Sequence, residues 1–181
     1  PTPGEPAGTR EAGALLLDIL AKRHQGRTLT FAVRSSAWDE DSDDSFAGQY
    51  ETILNVPAGE ILNAYRQVVA SAYTPQAWLY RIRRGYQEHE MAMAVGFQVM
   101  VKTEVSGAMY TYAPLLAEKE SMVISAAWGL GTAVVQGLAE SDTLVVERTP
   151  PYRVHSRDIA LKTRMVIPDA KHGTTWTAVP E

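Results

Sequence analysis

Segments typical of helices and segments typical of strands alternate irregularly along this chain of 181 residues. In some segments apolar residues recur at helical spacing, while in others β-branched and aromatic residues are concentrated over a few positions. A parallel α/β sheet requires a regular strand–helix–strand repeat, which the sequence lacks. We therefore predict an α+β fold.

The predicted elements have the following bounds. Helices are predicted at residues 11–23, 59–71 and 76–84, and a short one ends at residue 135. Strands are predicted at residues 29–33, 52–56, 91–101, 105–111, 122–127, 144–148, 152–156 and 163–167. We expect 91–101 to be a central strand and the last three strands to form a meander. Residues 1–9, rich in proline and glycine, are predicted to be a linker, and Gly26 is predicted to end the first helix.

Composition excludes several classes of protein. The net charge of −4 argues against nucleic-acid binding, which needs a basic excess. The absence of cysteine removes disulfides, thiolate metal sites and cysteine nucleophiles. No apolar run approaches the roughly 20 residues of a membrane-spanning helix. We predict a cytoplasmic protein, and we identify no metal-ligating residues because the histidines are widely separated.

The segment Ala32-Val-Arg-Ser-Ser-Ala37 places a guanidinium and two hydroxyls at the end of a predicted strand. Arg34 could form a bidentate contact with a phosphate or a carboxylate, and the hydroxyls could add donors. Alternatively, Arg34 pairs with an acidic residue of the run 39–44, which we expect to be a solvated loop. The residues alone favour the second interpretation.

Two glycine-containing segments are open to two interpretations each. Residues 45–49 could let backbone N–H groups approach an anion, or could form an ordinary surface turn. Gly129-Leu-Gly131 could form an anion site at a helix start, or could close a turn. The tryptophans are predicted to be core or interface residues: Trp38, Trp78, Trp128 and Trp176.

Taken in order, these motifs resemble the ATP-binding region of phosphoenolpyruvate synthases. Rifampicin phosphotransferases and, more distantly, pyruvate, phosphate dikinases share the pattern. The resemblance extends from about residue 29 to residue 162, and more weakly to the end. It rests on an ordered series of segments: Ala-Val-Arg-Ser-Ser-Ala, Ser-Phe-Ala-Gly-Gln, Glu-Thr, Leu-Asn-Val, Gln-Val-Met-Val, Val-Ser-Gly, Trp-Gly-Leu-Gly and Val-Val-Gln-Gly.

The resemblance implies an ATP-grasp fold, in which two lobes clasp the nucleotide, and it implies roles for individual residues. Arg34 would contact the ATP phosphates, and Gly48 and Thr52 would belong to a loop that closes over them. A hinge strand would lie beside adenine, with Met100 packed on the ring; its residues are Gln98, Met100 and Val101. Gly107 would keep the neighbouring strand clear of the nucleotide, while Lys162 matches a family lysine without an assigned role.

The chain also departs from the family pattern. The glycine-rich segment with its phosphate-binding lysine and the acidic pair that holds Mg²⁺ are not found in it. We therefore expect residues 10–181 to be a partial ATP-grasp domain, with the Mg²⁺ ligands outside this chain. Thr132 stands where the family usually has glutamate, and Tyr112-Ala-Pro114 stands where Asp-Pro is common.

The implied function is that of an ATP-dependent phosphotransferase. The full-length protein would transfer phosphate from ATP to a histidine on another domain, and then to an acceptor such as pyruvate. Phosphohistidine and phosphoenolpyruvate-binding domains of the same longer polypeptide would be the partners, and the present chain alone would be inactive. The alternative is a degenerate ATP-grasp module that acts as a nucleotide sensor or scaffold.

Overall fold

The computed structural model describes residues 8–24, 27–37, 50–85, 93–113, 120–169 and 173–180. The chain divides into two compact units, Pro1–Met100 and Val101–Glu181. Both contain antiparallel sheets and helices, which confirms the predicted α+β class. No helix within these ranges is long and apolar enough to cross a membrane.

The first unit contains helices and a three-stranded antiparallel sheet of order β2-β1-β3. The helices are α1 (Thr9–Arg23), α2 (Ile61–Ser71) and α3 (Pro75–Arg84), and the strands are β1 (Thr30–Ala37), β2 (Thr52–Pro57) and β3 (Met93–Val99). Local signals explain the bounds of α3. The Thr74 hydroxyl accepts the Ala77 N–H at 3.3 Å, and Gly85 ends the helix at φ 80°.

The core of this unit lies between one face of the sheet and the helices. Phe31 and Val33 of β1 are 1% and 0% exposed, and they share a cluster with Ile61 and Val68 of α2. Alternate residues of β3, from Met93 to Val99, pack against the same cluster. Because strand side chains alternate between faces, the residues in between occupy the opposite face.

The second unit contains a four-stranded antiparallel sheet of order β4-β5-β6-β7 and a separate β8-β9 hairpin. The elements are β4 (Val105–Tyr110), β5 (Ser121–Trp128), α4 (Thr132–Val135), β6 (Asp142–Glu147), β7 (Val154–Asp158), β8 (Arg164–Asp169) and β9 (Gly173–Ala178). A parallel bridge between Gly129 and Val166 connects the end of β5 to β8.

Two topological predictions are wrong. The described sheet has β1 at its centre and β3 at its edge. The apolar composition of β3 is misleading, because Ala94 and Gly96 are apolar yet lie on the exposed face. The predicted meander ends at β7, since β8 pairs instead with β9, a threonine-rich strand that we did not predict.

Further predictions fall differently. Of the two roles predicted for the tryptophans, the core role is wrong for those that the structure describes, since Trp78, Trp128 and Trp176 are 39%, 41% and 39% exposed. The interface role stays a prediction. Strand β1 continues beyond the predicted end at Val33, so Arg34-Ser-Ser lies within it. Thr9, the last residue of the predicted linker 1–9, is the first residue of α1. Predictions on residues 1–7, Gly26, Trp38, the acidic run and Gly48 lie outside the described residues.

Candidate functional site

One row of the first unit's sheet brings together two residues that are distant in sequence. Arg34 of β1 pairs with Thr52 of β2 on one side and with Gly96 of β3 on the other. Directly opposed residues of an antiparallel pair place their side chains on the same face. All three residues are exposed, and Val33 beside Arg34 points into the core. The row therefore presents a guanidinium and a hydroxyl on the face opposite the helices.

Gln98 lies on this face as well. It pairs with Ala32 and is exposed, two residues along β3 from Gly96. Side chains two residues apart in a strand point to the same face of the sheet. The structure thus brings together three predicted site residues, Arg34, Thr52 and Gln98, and we call this surface the open face. Arg34 makes no ion pair with a residue that the structure describes.

Met100 is held by the sheet at two points. Its N–H donates to the Thr30 carbonyl at 2.9 Å, and its Sδ accepts the backbone N–H of Asn55 at 3.0 Å. Asn55 has φ 56°, in the left-handed region that asparagine tolerates better than most residues. The Leu-Asn-Val segment that contributes to the resemblance contains Asn55, but sequence reasoning assigned this residue no role.

The division between the two units falls between Met100 and Val101. Val101 is 74% exposed and follows the end of β3. The segment predicted to be a hinge strand therefore includes the boundary, since Gln98 and Met100 belong to the first unit and Val101 to the second.

Gly107 is required by the packing of the second unit itself. A Cβ at this position would lie 2.3 Å from the Ser125 carbonyl oxygen and 3.2 Å from the Ala126 Cα. Such contacts are far inside van der Waals separation, so any side chain would push β4 away from β5. This requirement exists without a ligand, whereas the resemblance explained Gly107 by the nucleotide.

Gly129-Leu-Gly131 closes a turn. The Gly129 N–H donates to Glu104 O and the Leu130 N–H to Val166 O, both at 2.8 Å. Gly129 has φ 78°, and a Cβ there would lie 2.2 Å from the Val166 carbonyl oxygen. Because these two N–H groups are engaged within the unit, they cannot donate to an anion. The structure favours the turn over the anion site.

Lys162 has a contact within its own unit. Its Nζ forms an ion pair with Asp142 and donates to the Ala160 carbonyl at 2.8 Å. Asp142 also accepts the Ala160 N–H at 3.1 Å. The lysine side chain is only 12% exposed. These bonds fasten the segment that follows β7 to the start of β6.

No group of three or more histidine, aspartate and glutamate side chains suited to a metal ion occurs within the described ranges. The acidic run and Gly48 lie outside those ranges.

Comparison with known proteins identifies the family. The sequence model described as "Pyruvate phosphate dikinase, AMP/ATP-binding domain" matches residues 10–181, and the chain belongs to this family. It is 36% identical over 166 residues to a phosphoenolpyruvate synthase of Pyrococcus furiosus, which covers 90% of this chain and 20% of that protein.

Similar relatives occur in other organisms. The chain is 38% identical over 155 residues to a probable phosphoenolpyruvate synthase of Methanocaldococcus jannaschii, covering 84% of this chain and 13% of that protein. It is 38% identical over 154 residues to the phosphoenolpyruvate synthase of Escherichia coli, covering 80% of this chain and 19% of that protein. The chain thus spans at most about a fifth of the length of these relatives.

Proposed function

We propose that residues 10–181 form part of an ATP-grasp domain, and that the open face of the first unit contacts ATP. The observation that carries this proposal is the placement of Arg34, Thr52 and Gln98 on one exposed face. Membership of an AMP/ATP-binding family supports adenine nucleotide as the ligand.

Arg34 is assigned to the phosphates. A guanidinium can donate two parallel bonds to phosphate oxygens, and its charge compensates the charge that the transferred group carries. Thr52 lies directly across the ladder and supplies a hydroxyl within reach of the same group. Gly48 is assigned to the same phosphate-covering loop on resemblance alone.

The base is assigned to the end of β3. Gln98 lies in the edge strand β3 and Met100 directly follows its last residue, after which the chain leaves the first unit at Val101. Backbone groups of this segment would contact the edge of adenine, while the polarizable thioether of Met100 would pack on the ring. Gly107 is assigned a nucleotide-related role on resemblance alone, since the packing of β4 against β5 already requires glycine there.

The full-length protein is proposed to be an ATP-dependent phosphotransferase of the phosphoenolpyruvate synthase type. Phosphate would pass from ATP to a histidine on another domain and then to an acceptor such as pyruvate. Mg²⁺ would supply charge neutralisation for the phosphates in this chemistry. As the resemblance implies, its ligands would lie outside this chain.

Labelling of the full-length protein tests the proposal. Incubation with ATP labelled at the β- or the γ-phosphate should produce acid-labile label on a histidine, and Arg34→Ala should reduce its rate of formation by at least about 100-fold. Absence of label from a protein that still binds ATP would contradict phosphotransfer, and would favour the sensor or scaffold interpretation instead.

A further inference from the structure

The contact between Asn55 and Met100 arises from an irregularity in strand β2. Phe31 pairs with Val56 and Val33 with Ile53, so two residues of β2, Leu54 and Asn55, face Ala32 alone. The extra residue of such a bulge leaves the hydrogen-bond ladder. Its N–H is therefore available to an acceptor outside the ladder, and it donates to the Met100 thioether at 3.0 Å.

The methionine side chain has to cross the central strand to make this bond. Met100 follows β3, Asn55 belongs to β2, and β1 lies between these strands in the sheet. Val99 packs against the core, which places its neighbour Met100 on the open face. Ala32 lies on the same face of β1 as Arg34, yet it is only 8% exposed. A methionine side chain that crosses above this small residue accounts for its burial.

The backbone of Asn55 makes the crossing possible. At φ 56° the peptide N–H turns out of the ladder direction, and asparagine adopts this conformation at lower cost than β-branched residues do. The neighbours Ile53 and Val56 both remain in the core cluster. The bulge thus redirects one N–H without disturbing the apolar side of the strand.

We infer that Asn55 is a positioning residue for the base-binding surface. Its N–H holds the Met100 thioether across β1, so that the side chain presents a fixed, polarizable surface to an adenine ring. This inference rests on the proposed function, since it assumes that Met100 contacts the base. It adds that the adenine contact depends on a bulge in β2, and not only on the strand that carries Met100.

Amide hydrogen exchange and ATP titration of the 181-residue chain together test the positioning role of Asn55. Met100→Leu preserves the apolar volume and removes the sulfur acceptor. Exchange of the Asn55 amide should accelerate about 10-fold, and ATP affinity should fall about 3- to 10-fold. The amide at position 100, which donates to Thr30, should keep its exchange rate and serves as an internal control for general loosening.

Two substitutions of Asn55 form a matched pair of variants, of which one permits positive φ and the other opposes it. Asn55→Gly permits positive φ and should retain both the slow exchange and ATP affinity within about 2-fold. Asn55→Val opposes positive φ and should reproduce the affinity loss of Met100→Leu. Combining Asn55→Val with Met100→Leu should add no further loss, because both act through one contact.

Several results would overturn the inference. Unchanged Asn55 exchange in Met100→Leu would show that the sulfur accepts no bond. Faster exchange with unchanged ATP affinity would show that the contact exists but positions nothing. If Arg34→Ala weakens ATP binding and Met100→Leu does not, this inference alone is wrong. A wild-type chain that binds no ATP would contradict the proposed function and this role of Asn55 with it.

Discussion

Arg34 and Thr52 are directly opposed in the antiparallel ladder between β1 and β2. The pairing places a charged donor and a hydroxyl side by side on an exposed face, although the chain that connects them includes the acidic run 39–44. Neighbouring residues of β1, Phe31 and Val33, are almost completely buried. The register of a buried strand therefore determines the position of both polar groups, because a one-residue slip would turn Arg34 into the core.

The first prediction concerns Thr52. Thr52→Val keeps the shape and the β-branched character of the side chain but removes its hydroxyl. ATP affinity should fall about 10-fold or more, as expected for one hydrogen bond to a charged phosphate, while the melting temperature stays unchanged because the residue is exposed. Calorimetric titration measures the affinity. Thr28→Val, at another exposed position of the first unit, is the control, and equal affinities for the two variants would remove Thr52 from the site.

The second prediction concerns Gly107. Gly107→Ala should lower the free energy of unfolding by about 1–3 kcal/mol, because the new Cβ would lie 2.3 Å from the Ser125 carbonyl oxygen. Gly96→Ala is the matched strand control, since the nearest atom to its Cβ would be 3.9 Å away. Urea denaturation compares the two variants. If both are equally stable, the close approach of β4 and β5 does not explain this glycine.

The third prediction concerns Lys162. Lys162→Met should lower the free energy of unfolding by about 1–2 kcal/mol, because it leaves the half-buried Asp142 carboxylate without its ion-pair partner. Lys22→Met should cost less than about 0.5 kcal/mol, since the pair of Lys22 with Asp18 is exposed on a helix surface. ATP affinity of the folded Lys162→Met chain should match the wild type. A stable variant with weakened ATP binding would show that Lys162 belongs to the nucleotide site instead.

The helices of the first unit could be predicted from the helical spacing of their apolar residues, and α3 also carries local signals at its ends. Thr74 and Gly85 enclose α3, and its predicted and observed bounds differ by one residue at the start. The partner of a strand can lie far away in the sequence. The positions of the strands were therefore predicted better than their pairing in sheets. Strand β9 was missed because threonine and glycine dominate its sequence, and its identity depends on pairing with β8.

The candidate site was predictable only in part. The order of the motifs identified Arg34, Thr52 and Gln98 as site residues. That these residues lie on one face of the sheet depends on the register of three strands, which the motifs do not reveal. The Leu-Asn-Val segment contains Asn55 but does not reveal its role, because its contribution is a backbone N–H turned by a positive φ. Side-chain chemistry is visible in a sequence, whereas backbone direction at a bulge appears only once the strands are paired.

ATP titration of the wild-type 181-residue chain and of Arg34→Ala is the decisive test of whether the open face binds ATP. Arg27→Ala, at another exposed position of the first unit, controls for loss of a positive charge. We expect the wild type and Arg27→Ala to bind ATP with micromolar to millimolar affinity. The affinity of Arg34→Ala should be about 10- to 100-fold lower, because this variant loses charged hydrogen bonds to phosphate. Equal affinity of Arg34→Ala and wild type, or no binding by the wild type, would contradict the assignment of the open face to ATP.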